Sequence, residues 1–219
     1  MLNIFFLTKT ILRIVYYLLF NYKRYANILI EITVLKPKII LEIGVYKGQR
    51  AQEIIEAARI FNKKILYYGF DLFEDFFQKK NILNSELSKK PELKKNVYKK
   101  ICKLAKVKLF KGYTKKTIPA FLKKKIKPDF IFLDGGHSVK TILQDWNNIK
   151  KCMYKNSVCI FDDYYTGSNE LIKKYGCNQV IKNLKHCYHY KILFFSDFFL
   201  LKEKNIKINM VKVKLNKLK

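Results

Sequence analysis

"PDFIFLDGGHSVKTILQDW", residues 128–146, contains an apolar run that ends at Asp134, and a helix-period pattern follows it. "SVCIFDDYY", residues 157–165, has a second apolar run, which ends at Asp162 and Asp163. Short apolar runs are typical of strands that are buried on both faces of a parallel sheet. Ligands of such sheets bind at the carboxyl ends of the strands. These acids therefore indicate a functional site at one edge of a sheet.

The same alternation of apolar runs and helix-period segments extends over most of the chain. Further elements are predicted as follows: strands over residues 38–44, 64–71 and 107–114, a helix over residues 49–61, and a closing antiparallel pair over residues 190–196 and 198–204. Strands that alternate with helices predict an α/β fold in which helices cover both faces of a mostly parallel sheet. The expected architecture is a Rossmann-like three-layer sandwich.

The length and composition predict one main domain. A chain of 219 residues with 49% hydrophobic residues is long enough to bury a core. We expect an N-terminal amphipathic helical segment over residues 1–36, the main domain over residues 37–203, and a basic tail over residues 204–219 that forms an extra strand or frays. The five Cys residues include no CxxC pair, which favours reduced thiols in a cytoplasmic protein.

The charge of the chain is extreme, at +28, and points first to a polyanionic partner. However, only four of the 45 basic residues are Arg, the residue that nucleic-acid readers use for bidentate contacts. Abundant Lys, Ile, Asn, Phe and Tyr are typical of an AT-rich coding sequence. Nucleic acid is therefore disfavoured as the partner.

The N-terminus, "IFFLTKTILRIVYYLLFNYKRY" over residues 4–25, is apolar but is interrupted by Lys9 and Arg13. The longest apolar run after Arg13 is too short to span a bilayer, and no small-residue cleavage site follows it. An amphipathic helix that packs on the domain is the favoured interpretation. The alternative is peripheral membrane contact through residues 1–30, with Lys23 and Arg24 at the lipid headgroups.

A glycine turn is predicted within "LEIGVYKGQRA", residues 41–51, where Gly44 and Gly48 would let the backbone approach a ligand. The spacing is neither the dinucleotide pattern nor a phosphate loop. Glu42 would repel a pyrophosphate but would suit an ammonium group. Asp71, at the end of the next strand, can accept hydrogen bonds from ribose hydroxyls, or it caps the turn that follows. Together these residues favour a cofactor of the adenosine type.

The acids at the ends of the later strands are expected to cluster with His137. Asp134, Asp162 and Asp163 would repel one another, or would take up protons, unless a cation lies between them. Mg²⁺, or another hard divalent cation, binds oxygen ligands of this kind. His137 lies one short turn after Asp134 and can act as a base. The alternative is that the acids are helix or turn caps.

The motifs "ILEIGVYKGQRA", "YYGFDLF", "VKLFKGYT", "PDFIFLDGGHS" and "CIFDDYY", in this order, resemble class I S-adenosylmethionine-dependent methyltransferases. The nearest group is the macrocin O-methyltransferase and cephalosporin-hydroxylase-like family, and the resemblance covers roughly residues 36–203. It implies a seven-stranded sheet whose last strand is antiparallel, and S-adenosylmethionine and a divalent metal as cofactors. The residues implied are Glu42, Gly44 and Gly48 at the methionine end, Asp71 at the ribose, Gly112, Tyr113 and Thr114 near the adenine, Asp134 at both cofactor and metal, Asp162 and Asp163 at the metal, and His137 as general base.

One position departs from the family pattern. Arg50 stands where relatives carry a small residue, so it either pairs with the cofactor carboxylate or marks a rearranged turn. The function implied is metal-dependent O-methylation of a sugar, a glycan or another small vicinal diol in the cytoplasm, by a protein that is a monomer or a homo-oligomer. The alternatives are a non-catalytic or membrane-peripheral binding protein of the same fold, and a nucleic-acid methyltransferase, although the chain lacks the loop that holds a flipped base.

Overall fold

The computed structural model describes residues 2–20, 22–77, 92–201 and 204–216. Seven strands form one sheet in the order β3-β2-β1-β4-β5-β7-β6. Five are parallel neighbours, and β7 runs antiparallel to both β5 and β6. The strands are β1 Ile39–Ile43, β2 Leu66–Asp71, β3 Lys106–Lys111, β4 Phe130–Leu133, β5 Val158–Thr166, β6 Tyr188–Leu201 and β7 Lys204–Leu215.

Helices cover both faces of this sheet. They are α1 Ile4–Leu19, α2 Arg24–Leu35, α3 Gln49–Ala58, α4 Lys94–Ile101, α5 Thr114–Leu122, α6 Val139–Ile149, α7 Asn169–Lys174 and α8 Asn178–Lys182, and two 3₁₀ turns lie at Phe73–Phe77 and Lys150–Cys152. Alternate residues of β1 belong to two separate cores: Ile40 packs towards the side of α2 and α3, and Leu41 and Ile43 pack towards α5 and α6. The predicted three-layer sandwich with an antiparallel last strand is confirmed.

The C-terminal part of the prediction is wrong in one detail. Residues 190–196 and 198–204 do not pair with each other, because both fall on or beside the single long strand β6. The partner of β6 is β7, so the basic tail forms the extra strand that was one of its two predicted outcomes. The sequence of β7 alternates apolar residues with Lys, for example at Ile206, Lys207 and Ile208. This period-two pattern places one face of the strand in the core.

The N-terminal helices are integral parts of the structure. In α2, the side chains of Ala26, Ile28, Leu29 and Ile32 are completely or almost completely buried in the core beside α3 and β6. In α1, Tyr17 belongs to the same core. Among the described residues, no helix is long and apolar enough to cross a membrane.

Burial of α2 predicts a large difference between two substitutions on that helix. Ile32→Ala removes a fully buried side chain, so the free energy of unfolding should fall by about 2–5 kcal/mol. Val34→Ala is the matched control, because Val34 is 72% exposed and surface changes usually cost about 0.5 kcal/mol or less. Urea unfolding measures the free energy of unfolding of both variants. Equal effects of the two substitutions would contradict the packing of α2 on the sheet.

Candidate active site

The glycine turn after β1 lies directly against the end of β4. Gly44 has a φ of +91°, and a Cβ at this position would lie 1.8 Å from the carbonyl oxygen of Asp134. Gly48 has a φ of +73° and precedes α3 as its N-cap. Only glycine allows the backbones to approach so closely at Gly44. The turn and the acid-bearing end of β4 therefore form one continuous site.

Asp71 ends β2 and binds this turn through its carboxylate. The backbone N–H of Tyr46 donates to Oδ2 at 2.7 Å, and that of Phe73 donates to Oδ1 at 3.0 Å. These bonds are those of the turn-capping interpretation of Asp71. Each oxygen of an ionised carboxylate keeps a second lone pair, so these bonds leave room for acceptance from a ligand. The turn after β3 lies beside it, since Gly112 N donates to the carbonyl oxygen of Asp71 at 2.9 Å.

Tyr113 and Thr114 continue from that turn into α5. Tyr113 is the N-cap and Thr114 is the first residue of the helix. Both residues are half-buried, at the end of the strand next to β2. The family resemblance assigns these residues to the neighbourhood of the adenine, and this assignment stays a prediction.

Glu42 lies on β1 and is fully buried. Its Oε2 accepts a hydrogen bond from the hydroxyl of Tyr67, whereas Oε1 has no hydrogen-bond partner among the described residues. Burial raises the pKa of Glu42 to about 8, although the hydrogen bond from Tyr67 and the charge of Arg50 lower it. An unpartnered buried oxygen is costly, and an ammonium group of a ligand would satisfy it.

A bulge in β5 positions the two consecutive acids Asp162 and Asp163. The register between β5 and β7 shifts between Phe161 and Tyr164, and Asp163 has a left-handed φ of +61°. Consecutive residues of a regular strand point to opposite faces, and bulges near functional sites redirect side chains. Here both carboxylates are buried at the same end of the sheet.

Asp134, His137 and Asp163 form a group of side chains that could together hold a metal ion. One atom from each lies within 4.8 Å of the others, and His137 Nε2 is 3.4 Å from Asp163 Oδ2. A cavity of about 10 Å³ borders the acids, which is room for about one water-sized particle. Its lining residues are Leu133, Asp134, Gly135, Gly136, Ile142, Asp145, Asp162 and Asp163.

Asp162 is bound by Arg24 rather than grouped with these three residues. Arg24 Nε donates to Asp162 Oδ1 at 3.0 Å and Nη2 donates to Oδ2 at 3.3 Å. The same guanidinium donates to Asp197 of β6 at 2.7 Å and to the hydroxyl of Tyr25 at 2.9 Å. Sequence reasoning missed this contact, because Arg24 and Asp162 are 138 positions apart and no local pattern marks Arg24.

Burial and the nearby charges raise the pKa values of Asp134 and Asp163. Burial, followed by the charges of Asp162 and Asp163, raises the pKa of Asp134 well above its ordinary value, against the lowering effect of Arg24. Burial and Asp162 raise the pKa of Asp163 to about 6, against His137 and Arg24. The cluster therefore favours bound protons or a further cation.

Arg50 lies on α3 and contacts both α3 and the N-terminal helices. It donates to Glu53 and to the hydroxyl of Tyr17, and its guanidinium lies 3.8 Å from the centroid of the Tyr25 ring. These contacts join α3 to α1 and α2. The two predicted roles of Arg50, pairing with the cofactor carboxylate and marking a rearranged turn, stay predictions.

Comparisons with known proteins agree with this architecture. No curated protein matches the chain in a sequence search. The O-methyltransferase TomG from Streptomyces achromogenes, which is involved in tomaymycin synthesis and was solved with S-adenosylmethionine, has a TM-score of 0.57 and 10% identity over 87% of this chain and 78% of its own. The S-adenosylhomocysteine-bound methyltransferase PaMTH1 from Podospora anserina has a TM-score of 0.52 and 15% identity over 90% of this chain and 79% of its own. An O-methyltransferase from Bacillus cereus, in complex with S-adenosylhomocysteine, has a TM-score of 0.51 and 13% identity over 86% of this chain and 79% of its own.

At these identities the solved structures show a shared fold. The family is shown by sequence, because the profile described as a methyltransferase domain matches residues 41–164, which is more than half of the chain. The matched region begins on β1 and ends just after Asp162 and Asp163 on β5, so it contains both the glycine turn and the acid cluster. The chain therefore belongs to the methyltransferase domain family.

Proposed function

We propose that this protein is an S-adenosylmethionine-dependent O-methyltransferase that uses a divalent cation. The observation that carries the proposal is the contact between the glycine turn and the end of β4, where only the absence of a side chain at Gly44 makes room for Asp134. A cofactor that binds at the turn has its reactive end beside the acids and His137. Methyl transfer needs this adjacency, because donor and acceptor must be held in line.

The residues at the ends of β1 and β2 fit the proposed cofactor. The unpartnered Oε1 of Glu42 matches the ammonium of a methionine group. Asp71 keeps acceptor capacity for ribose hydroxyls, and the Gly112 turn lies beside it for the adenine. When bound, S-adenosylmethionine supplies an electrophilic methyl group. The protein orients that group and excludes competing nucleophiles.

His137 is the proposed general base. It is half-exposed, so an acceptor hydroxyl can reach it, and its Nε2 lies 3.4 Å from a carboxylate oxygen of Asp163. Asp163 lies beside this nitrogen, so it can orient the imidazole of His137 towards an acceptor hydroxyl. This arrangement is a base held by a second group, as general base catalysis requires.

Asp134 and Asp163 would hold the divalent cation, because both are raised in pKa by burial and by nearby acids. The cation would polarise the acceptor oxygen and lower the pKa of its hydroxyl. Asp162, the third predicted ligand, has both oxygens bound to Arg24. Arg24 therefore competes with a metal for Asp162, and its own charge opposes a second cation in the cluster.

The acceptor that this arrangement favours is a small molecule with neighbouring hydroxyls. Two adjacent oxygens can bind one cation together, and one of them then faces the base. The finer resemblance to macrocin O-methyltransferases supports a sugar or glycan. Both the substrate class and the metal dependence belong to the proposal.

Cofactor binding should release a proton from Glu42. The pKa of about 8 means that this carboxyl is protonated at about pH 7 in the free protein, whereas an ammonium group favours the ionised form. S-adenosylhomocysteine should therefore form a micromolar complex, on the order of −8 kcal/mol, whose affinity increases as the pH rises towards 8. Calorimetry in two buffers of different ionisation enthalpy measures the released proton.

Glu42→Gln should abolish the dependence of the enthalpy on the buffer. Glu31→Gln should keep the dependence on the buffer. Glu31 of α2 pairs with Lys212 of β7, and neither residue belongs to the glycine turn. If the unaltered protein does not bind S-adenosylhomocysteine, the cofactor assignment is wrong. A buffer-independent enthalpy would remove only the role of Glu42.

Loss of Arg24 should tighten metal binding. Arg24→Gln releases both oxygens of Asp162 and removes a positive charge, so the affinity for Mn²⁺ should rise at least about tenfold, which corresponds to ~1.4 kcal/mol. Titration with Mn²⁺, in which electron paramagnetic resonance reports the free ion, measures this affinity. Arg13→Gln is the matched control, because Arg13 pairs with Glu56. Asp163→Asn should lose binding. Unchanged or weaker affinity in Arg24→Gln would contradict the competition.

Replacement of His137 should separate its role as a base from a role in metal binding. His137→Ala should lower methyl transfer to glycosides with vicinal hydroxyls by about 10²–10⁴-fold, while the binding of S-adenosylhomocysteine and Mn²⁺ stays within about threefold. Radiolabelled methyl transfer at saturating cofactor measures turnover. If Mn²⁺ binding falls together with turnover, His137 is a ligand and the assignment as base is wrong.

A further inference from the structure

The outward face of α1 lacks the polarity expected for a surface helix of a soluble domain. Such helices bury an apolar face and expose a polar one. In α1 the outward face is itself apolar, with side chains that are 46–74% exposed. They are Ile4, Phe5, Ile11, Leu12, Val15, Tyr16 and Leu19.

The two cations of α1 point inward instead. Lys9 and Arg13 both bind Glu56 of α3, which is almost fully buried. The polar residue between the apolar ones on the outward face is Thr8, whose hydroxyl donates to the carbonyl oxygen of Ile4 at 3.1 Å. The outward face therefore presents an uncharged apolar stripe, about 24 Å long for a helix of 16 residues.

The inner face of the helix is firmly attached. Phe6, Thr10 and Tyr17 are buried, and the hydroxyl of Tyr17 donates to Glu53 at 2.8 Å. The helix thus cannot turn its apolar stripe into the domain without losing these contacts. Exposed apolar patches of this extent mark interaction surfaces, so the stripe requires a partner outside the domain.

The charges around the stripe favour an anionic partner. Lys23 is exposed just beyond the C-terminal end of α1. Lys63 and Lys64 are exposed near its N-terminal end, where the Asn3 backbone N–H donates to the carbonyl oxygen of Ile60 at 2.9 Å. The acids beneath the helix, Glu53 and Glu56, are buried and paired, so they do not offset these charges.

We propose that α1 binds in the plane of an anionic membrane surface. Its apolar stripe would enter the boundary between headgroups and acyl chains, and the lysines at both ends would contact anionic headgroups. Interfacial helices combine an apolar face with flanking cations in this way, and anionic lipid attracts cationic residues near the surface. A second copy of the chain is the weaker candidate, because each copy carries a charge of +28 and like charges oppose association.

Flotation of the full chain with lipid vesicles tests this proposal. Vesicles of phosphatidylglycerol and phosphatidylcholine should carry the protein upward at low salt, and vesicles of phosphatidylcholine alone should carry at least tenfold less. Leu12→Gln combined with Leu19→Gln should reduce binding at least tenfold, because two exposed apolar side chains become polar. Thr8→Gln is the matched control, since it lies on the same face and is already polar, and it should bind as the unaltered protein does.

Thermal unfolding and S-adenosylhomocysteine affinity should be the same in all these proteins, since the altered side chains are exposed. The proposal is overturned if the double variant floats as well as the unaltered protein, or if neither vesicle is bound. It is also overturned if sedimentation shows a dimer that the double variant dissociates while no vesicle is bound, because the stripe is then a contact between two copies.

Discussion

The crowding of carboxylates at the carboxyl ends of β1, β4 and β5 is the constraint on which the site depends. Asp134, Asp162 and Asp163 converge where apolar strands end, and burial and the nearby carboxylates raise the pKa values of Asp134 and Asp163. A cation must offset this repulsion if the acids are to be ionised together. Arg24 provides one such charge through two hydrogen bonds to Asp162. The remaining pair, Asp134 and Asp163, retains raised pKa values and the capacity for a second cation.

Two local backbone features bring these acids to the cofactor turn. Gly44 removes the side chain that would collide with Asp134, and the bulge in β5 redirects Asp162 and Asp163. Asp163 adopts a left-handed conformation that is uncommon outside glycine, and such conformations often occur at functional sites. Its carbonyl oxygen accepts from Cys177 N at 2.9 Å, so the packing of α8 against β5 stabilises the bulge.

The N-terminal helices connect the surface of the protein to this cluster. Arg24 begins α2 only a few residues after α1 ends, and it contacts Asp162 on β5 and Asp197 on β6. Arg50 stacks on Tyr25 and binds Tyr17, so α1, α2 and α3 share one network of buried cations and acids. A displacement of α2, which packs against α1, would therefore move Arg24 relative to the acid cluster.

The sequence by itself determined the layer architecture, the first five strands and the residues at their ends, because apolar runs, helical periodicity and turn glycines are local signals. It also predicted the grouping of Asp134 with His137, which lie three positions apart in one loop. Tertiary structure alone decided that β7 lies between β5 and β6, that Asp162 binds Arg24, and that Arg50 faces Tyr25. Each of these contacts joins residues far apart in the chain, and the choice among partners depends on burial and on the charges nearby, which no local pattern records. The apolar outward face of α1 is of the same kind: the residues of its two faces are evident in the sequence, but the contacts that fix the inner face are tertiary, namely burial of Phe6 and Tyr17 and the ion pairs of Lys9 and Arg13 with the buried Glu56.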